Sequence, residues 1–312
     1  MSTILILGKN GQVATYLQQV FSQSSSIRSN TDVEKPYQIV VAGSDVLDLR
    51  STELIYGALE RYAPEIIINT AAYTAVDAAE TDQEPAYAIN RDAVSEIARY
   101  CENTDTPLIH YSTDYVFSGD SEQAYSEDDI VEPNGVYGKS KLQGEQAIQQ
   151  SGAPAIILRT AWVYSNQGKN FYKTMLALSE QRDTLSVVND QIGSPTYAGS
   201  IASATKQIVD IVLDQKGLTT AQQGVFHFSC QGQTSWADFA KAIFVENEVT
   251  HMSVNGIPST EYPTPVKRPA FSVLNTQKLL EAFGVSLPHW GTALSQCAAE
   301  TKIQLNASRN ID

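Results

Sequence analysis

The chain has 312 residues, 42% of them hydrophobic, enough for one large or two modest domains with a sizeable core. Its formal net charge of −14 excludes a general nucleic-acid binder, which needs Lys and Arg to displace counterions. No apolar run approaches the ~20 residues of a membrane span, the N-terminus lacks the marks of a signal peptide, and three scattered cysteines (Cys101, Cys230, Cys297) without metal-ligand spacing fit a reducing cytoplasm.

Thr3–Leu7 reads as a buried strand, followed by Gly8-Lys-Asn-Gly11-Gln-Val-Ala14 and a helical run, Thr15–Phe21. Strand, glycine turn and helix is the order of a dinucleotide site. Gly8 permits the tight turn, Gly11 lets the backbone approach a pyrophosphate, and Ala14 is small where helix meets strand. The free N–H groups at the helix start favour phosphates. Ser22–Pro36 is polar and Ser-rich and reads as a mobile loop. Gln38–Ala42 is a second strand. An acid at its end would bind the ribose 2′-hydroxyl and mark NAD. Gly43-Ser44 stands there instead, with Asp45 further on and no Arg following, so the cofactor choice stays open. Ser51 or Thr52 caps a helix over Glu53–Tyr62.

Pro64–Asn69 is a third strand, ending in Asn69-Thr-Ala-Ala-Tyr-Thr74, small residues at the carboxyl edge where α/β sheets bind ligands. Ala86–Glu102 has helical periodicity; Asn90 within it is either functional or a plain polar helix position. Pro107–Tyr111 is a fourth strand and gives way to Ser112-Thr113-Asp114. A hydroxyl there either hydrogen-bonds a substrate carbonyl or satisfies turn backbone. After an acidic loop, Glu122–Pro133, a helix-compatible run carries Tyr137 and Lys141 four residues apart, on one face. A phenol, with a reference pKa of about 10, is a poor acid at neutral pH. A nearby ammonium favours the phenolate, which makes the pair a tunable proton donor or acceptor.

Ala155–Arg159 is a further strand. Strands separated by helices predict an α/β fold with a Rossmann-type, doubly wound parallel sheet. Beyond Ser165 come a helix over Asn170–Gln181, a short strand over Thr184–Val188, a loop over Asp190–Thr196 and an amphipathic helix over Tyr197–Leu213. A strand over Gly224–Ser229 precedes a helix over Trp236–Glu246 capped by Thr234 or Ser235. After the proline-punctuated loop Ser259–Pro269, a final helix spans Asn275–Phe283, before a tail that frays past Lys302. The expected division is a dinucleotide-binding domain over residues 1–165, with 192–230 returning to it, and a smaller, interleaved α/β substrate domain over 166–191 and 231–312.

In this order the phosphate turn, the Asn-Thr-Ala-Ala turn, Ser-Thr-Asp and Tyr-x-x-x-Lys resemble the extended short-chain dehydrogenase/reductase superfamily. Gly8-Lys-Asn-Gly-Gln-Val13, Asn69-Thr-Ala-Ala-Tyr-Thr-Ala-Val-Asp77, Tyr111-Ser-Thr-Asp-Tyr-Val-Phe117, Tyr137-Gly-Lys-Ser-Lys141, Arg159-Thr-Ala-Trp-Val-Tyr164, Asp190-Gln-Ile-Gly-Ser-Pro-Thr196, Tyr262-Pro-Thr-Pro265 and Arg268-Pro269 resemble the dTDP-4-dehydrorhamnose reductase family. The likeness covers nearly the whole chain and is weakest in residues 22–36 and the last dozen. Tyr115 stands where related sugar-nucleotide 4,6-dehydratases carry a glutamate for water elimination, which favours simple ketone reduction.

The resemblance implies reduction of the C4 ketone of a small dTDP-sugar, dTDP-4-dehydro-L-rhamnose, to dTDP-L-rhamnose by NADPH or NADH. That product is a bacterial rhamnose donor for O-antigen and lipopolysaccharide. Tyr137 would donate a proton to O4, Lys141 would tune Tyr137 and bind the nicotinamide ribose, and Thr113 would hold the carbonyl oxygen. Gly8 would form the turn, and Gly11, Gln12 and Val13 would line the pyrophosphate. Asp48 and Leu49 would lie by the adenine, Ala72, Tyr73 and Thr74 by the ribose and phosphates, and Tyr111 would be a further cofactor contact. Val76, Asp114, Tyr115 and Trp162 would meet the sugar, Trp162 being equally readable as core. Asn170 and Arg268 would hold the nucleotide diphosphate, Arg268 being alternatively a solvated loop charge. Some members bind Mg²⁺ through glutamates at a dimer interface, and two of those places are Tyr16 and Gly199 here. No metal and no metal-bridged dimer are therefore expected, but a monomer or weak homodimer with no nucleic-acid or membrane partner. Two further functions stay open: a reductase of a related 4-keto-deoxy sugar nucleotide, and a non-catalytic regulatory subunit of the same fold.

Overall fold

The computed structural model describes residues 2–24 and 37–309. In chain order β1 (Ser2–Leu7), α1 (Gln12–Ser24), β2 (Tyr37–Ala42), α2 (Thr52–Tyr62), β3 (Ile66–Asn69), α3 (Gln83–Tyr87), α4 (Ala93–Thr104), β4 (Leu108–Thr113), α5 (Val136–Ser151) and β5 (Ala155–Thr160) alternate. They are followed by β6 (Val163–Tyr164), α6 (Phe171–Ser179), β7 (Thr184–Val188), β8 (Ile192–Gly193), β9 (Thr196–Tyr197), α7 (Ala198–Gln215) and β10 (Gly224–His227). Last come β11 (Thr234–Ser235), α8 (Trp236–Glu246), β12 (Ser253–Ile257), α9 (Gln277–Phe283) and α10 (Trp290–Arg309).

The main sheet runs β2-β1-β3-β4-β5-β10, with every pair parallel. Its inner strands are continuous apolar runs because both faces are covered: Ile4, Leu5, Ile6, Ile66, Ile67 and Ile68 are fully buried. The pleat sends Ile4, Ile6, Ile66 and Ile68 to one face, with Leu17 and Phe21 of α1 and Ile201 and Ile208 of α7. Leu5, Leu7 and Ile67 face the other side, with Ile55 of α2 and Ile97 of α4. The strand order reverses between β1 and β3, and such a switch point opens a crevice at the carboxyl ends of the strands. Beyond the sheet, β7 pairs with β12 and α8 packs against both.

Several expectations are corrected. Helix α1 continues through Ser24; the rest of the Ser-rich segment lies outside the described residues. Ser51 precedes α2 without making a side-chain cap. The run expected as one regular helix over Ala86–Glu102 contains a π turn, Ala88–Asp92, between α3 and α4. The wider turn buries Asn90 completely. Strand β12 was not expected, since Ser253-Val-Asn-Gly-Ile is polar and half-exposed and gains its conformation from pairing with β7. Nor is α9 the final helix: α10 follows and runs past Lys302. Its buried face is built from Ala293, Leu294, Cys297 and Ala298, mostly small residues that give a weak periodic signal. The three cysteines are buried and free. Among the described residues no helix is long and apolar enough to cross a membrane.

Candidate active site

The carboxyl edge of the sheet opens into a cleft of about 990 Å³. At one end of it Gly8 sits at φ +100°, where a side chain is strained. A Cβ there would stand 2.7 Å from Thr70 Oγ1 and 2.8 Å from the Ala71 nitrogen, so only glycine lets the turns after β1 and β3 meet. The Gly11 N–H donates to the Gly8 carbonyl (3.0 Å), and the first helical bond runs from the Thr15 N–H to the Gly11 carbonyl. The N–H groups of Gln12, Val13 and Ala14 therefore lack intrahelical acceptors and favour an anion. These free N–H groups at the mouth of the cleft fit a dinucleotide pyrophosphate.

Gln12 is fixed by its carboxamide oxygen, which accepts from Ser165 Oγ (2.7 Å) and Asn170 Nδ2 (2.8 Å). Asn170 also donates to the carbonyls of Ser165 and Gln167 and caps α6 by accepting from the Lys173 N–H. Its polar atoms are engaged and it does not line the cleft. In this arrangement Asn170 is a helix cap that holds Gln12.

Helix α5 lies across the end of β4. Gly138 and Gly144 permit the approach, because a Cβ on either would press into the backbone oxygen of Tyr115 or of Asn90. The N-cap, Gly135, has no side chain, and Glu80 Oε1 accepts the Val136 N–H instead (2.6 Å), placing a carboxylate at the positive end of the helix. Asn90 accepts from the Tyr73 N–H (2.9 Å) and donates to the Tyr73 carbonyl (3.0 Å) and Ser140 Oγ (3.0 Å). The open question about Asn90 resolves: it clamps the 69–74 turn to the helix of Tyr137 and Lys141.

Thr113 Oγ1 donates to Asp114 Oδ1 (3.0 Å) and accepts from the Tyr115 N–H (3.2 Å), so it satisfies the turn and faces the cleft as well. Ser112 Oγ is buried without a partner. Tyr137 packs edge-on to Tyr115, with ring centroids 5.5 Å apart. Burial pushes its hydroxyl above the usual tyrosine range; a hydrogen bond with Thr113 opposes this and the Asp114 charge adds to it. Lys141 does not lower the Tyr137 pKa as expected. Its Nζ donates to the Tyr111 carbonyl (2.6 Å) and faces His110 Nε2 at 3.1 Å. Burial brings the lysine down to about 8, with Glu145 opposing. Tyr137 is consequently a neutral phenol, suited to giving a proton rather than taking one. Burial also raises the Asp114 carboxyl to about 6.

The remaining expected residues divide by position. Asp48 and Leu49 line the far end, where Arg50 grips Asp48 (2.6 Å) and holds its carboxyl below the usual range. Ala72, Tyr73, Thr74 and Val76 line the β3 side, and Tyr111 the floor. Trp162 lines the cleft and is packed too: its ring stacks on Trp236 at 3.5 Å and lies against Gly193. Its φ of +48° is strained for a bulky residue. Arg268 stands just outside the lining, bound to Asp77 (2.6 Å) and lying over the Tyr115 ring. With 18% of its side chain exposed it is no solvated loop charge. Outside the cleft, the Tyr16 hydroxyl donates to Asn166 Oδ1 (2.6 Å), lies 3.1 Å from Glu300 Oε2 and accepts from the Tyr197 hydroxyl. A Cβ on Gly199 would meet the Tyr197 ring.

Sequence reasoning missed Lys9, Asn69, Glu80 and His110. Lys9 pairs with Asp45 (3.0 Å) beside Ser44, at the end of β2. Asn69 and His110 did carry a signal, as polar residues inside otherwise apolar parallel strands. Glu80 carried none.

The family model described as the RmlD substrate binding domain matches residues 1–303. A dTDP-4-dehydrorhamnose reductase of Sinorhizobium fredii is 41% identical over 290 residues, 92% of this chain and 93% of that one. A solved dTDP-4-dehydrorhamnose reductase from Clostridium acetobutylicum superposes with a TM-score of 0.85 at 32% identity, covering 96% of this chain and 99% of the other. The Bacillus anthracis reductase, solved in complex with NADP, gives 0.84 at 31% identity, covering 96% and 100%.

Proposed function

The chain belongs to the family of dTDP-4-dehydrorhamnose reductases, and we propose that it reduces the C4 ketone of dTDP-4-dehydro-L-rhamnose to dTDP-L-rhamnose, with Tyr137 as proton donor. The observation that carries this is the meeting of Thr113, Tyr137 and Lys141 in the cleft that the Gly8–Val13 turn opens. The turn and Ala72, Tyr73 and Thr74 would hold NADPH or NADH, which when bound would supply the hydride that the ketone carbon accepts. Tyr137 gives its proton to the ketone oxygen as negative charge develops there, and Thr113 holds the same oxygen. The phenolate then regains a proton from solvent. The Lys141 ammonium, one helical turn along α5, would donate to the nicotinamide ribose. Asp114, Tyr115, Val76 and Trp162 would bound the sugar, and Arg268 would reach a phosphate oxygen, a role that its buried, unpartnered Nη1 supports. Purified protein with enzymatically made dTDP-4-dehydro-L-rhamnose should oxidise NADPH or NADH at 340 nm and yield dTDP-L-rhamnose by mass and NMR. Tight cofactor binding without oxidation would overturn this reading.

Cofactor choice rests on Lys9. Its ion pair with Asp45 is exposed on both sides and is easily given up. Freed, Lys9 reaches toward a 2′-phosphate, while Asp45 suits ribose hydroxyls. Lys9→Ala is expected to raise the KM for NADPH about tenfold, the scale of one charge-assisted hydrogen bond near solvent, and to leave NADH within threefold. Equal changes for both cofactors would refute the assignment.

The metal site of some relatives does not fit this chain: a phenol and a glycine stand where carboxylates are needed. We expect sedimentation to give the same oligomeric state in Mg²⁺ and in EDTA; dissociation by EDTA would contradict it. Three free cysteines support a cytoplasmic setting, which cell fractionation tests. The division into a cofactor part, residues 1–165 with 192–230, and a sugar part, 166–191 with 231–312, is supported by β10 in the main sheet and by β7 with β12 outside it.

A further inference from the structure

Behind Lys141 lies a buried relay that ends inside the protein. Asn69 of β3 is paired in register with His110 of β4. Asn69 Oδ1 accepts the Ala71 N–H at 3.1 Å, so the amide must turn its NH₂ toward His110 Nδ1, also 3.1 Å away. An amide NH₂ only donates. His110 Nδ1 is therefore an acceptor, and the neutral ring carries its proton on Nε2. That N–H faces Lys141 Nζ at 3.1 Å. An ammonium has three donors and no acceptor, whereas the neutral amine has a lone pair to receive the N–H. The three side chains are between 0% and 2% exposed, so water cannot rearrange between them.

From this geometry, and resting on the reductase reading above, we propose that Asn69 and His110 are positioning residues that bias Lys141 toward its neutral form, so that Lys141 rather than Tyr137 sets the alkaline limit of the reaction. The direction agrees with the environment. Burial, and then the Lys141 charge, hold the His110 imidazole well below its ordinary pKa, so the ring stays neutral. Glu145 on α5 favours the ammonium, but its carboxylate is engaged by Arg159 of β5 in a buried pair at 2.7 Å. The other titratable groups around the site are Tyr137 on α5, Tyr111 on β4, and Asp114 and Tyr115 in the turn after it. The three tyrosines are raised by burial and stay neutral through the range in question. Asp114, raised to about 6, is already ionised before Lys141 titrates.

Asn69→Asp tests the tautomer. One carboxylate oxygen can keep the Ala71 N–H while the other accepts an Nδ1–H, which moves the His110 proton to Nδ1 and turns the Nε2 lone pair toward Lys141. The ammonium then gains an acceptor. The experiment is the pH–rate profile of ketone reduction between pH 6 and 10, beside NMR of ¹⁵N-histidine and ¹⁵N-lysine protein. In the wild type we expect an Nε2-protonated His110 and an alkaline limb that coincides with the Lys141 titration. In Asn69→Asp both should move up by at least about one pH unit, a tenfold change in proton affinity. An Nδ1-protonated His110 in the wild type, or an unmoved limb in the variant, would overturn the proposal. If Asn69→Asp does not fold, His110→Phe removes the N–H and is expected to move the Lys141 titration the same way. Absence of turnover in the wild type would count against the reductase reading, and the NMR would still decide the tautomer.

Discussion

Tyr137→Phe is expected to bind NADPH with a nearly unchanged Kd and to reduce the keto sugar at least about a hundredfold more slowly, the lower range for losing a general acid. The ring that packs edge-on to Tyr115 is retained, so the cleft keeps its shape and only the hydroxyl against Thr113 is lost. The loss should fall on kcat, because the proton is needed only as charge develops on the ketone oxygen. Fluorescence titration of NADPH and steady-state kinetics check the two halves separately. Turnover within threefold of wild type would remove Tyr137 from the reaction. A group whose pKa is lifted stays protonated until that pKa is passed, so Tyr137 remains a competent acid across pH 6–9. Any alkaline fall in that interval belongs to another group, which is why the Lys141 relay is open to measurement.

What could be read from the sequence were features whose cause is local. The Gly8–Ala14 turn announces itself because a positive φ and a helix N-terminus demand particular residues at fixed spacing. The inner strands announce themselves because burial on both faces forces apolar runs. Tyr137 and Lys141 could be paired because a helix fixes i and i+4 on one face. The partner of Lys141 could not, since His110 reaches it across 31 positions of sequence and only the β3–β4 register brings Asn69 to His110. The same holds for Glu80, which caps α5 from 56 residues away. Asn90 was visible as a polar residue in a helical run, yet its role depends on a π turn that a 3.6-residue period does not reveal. The capping role of Asn170 was legible in the same local way, since an asparagine opening a helix is favoured at the N-cap, whereas its bond to Gln12 spans 158 positions of sequence.

Gly144→Ala is expected to cut kcat about a hundredfold while leaving the helix content of the protein intact. Glycine inside a helix costs roughly 1 kcal/mol relative to alanine, so two glycines in α5 need a compensating reason. The reason is contact. The Gly144 Cα faces the Asn90 carbonyl oxygen with no room for a methyl group, and backbone cannot swing aside as a long side chain can. Alanine there must push α5 away from the π turn. That shift loosens the Asn90 bonds to Tyr73 and Ser140, and so displaces the helix that carries Tyr137 and Lys141 relative to Thr113. A misplacement of about 1 Å between reacting groups costs on the order of a hundredfold in rate, and overpacking of this kind costs about 1–3 kcal/mol in stability. Gly57, in α2, is the control: a Cβ there meets nothing within 4 Å, so Gly57→Ala should be active and as stable as the parent or slightly more so. Thermal unfolding and steady-state kinetics on both variants separate helix propensity from contact. If Gly144→Ala is as active and stable as Gly57→Ala, the close seating of α5 on Asn90 is not what aligns the site.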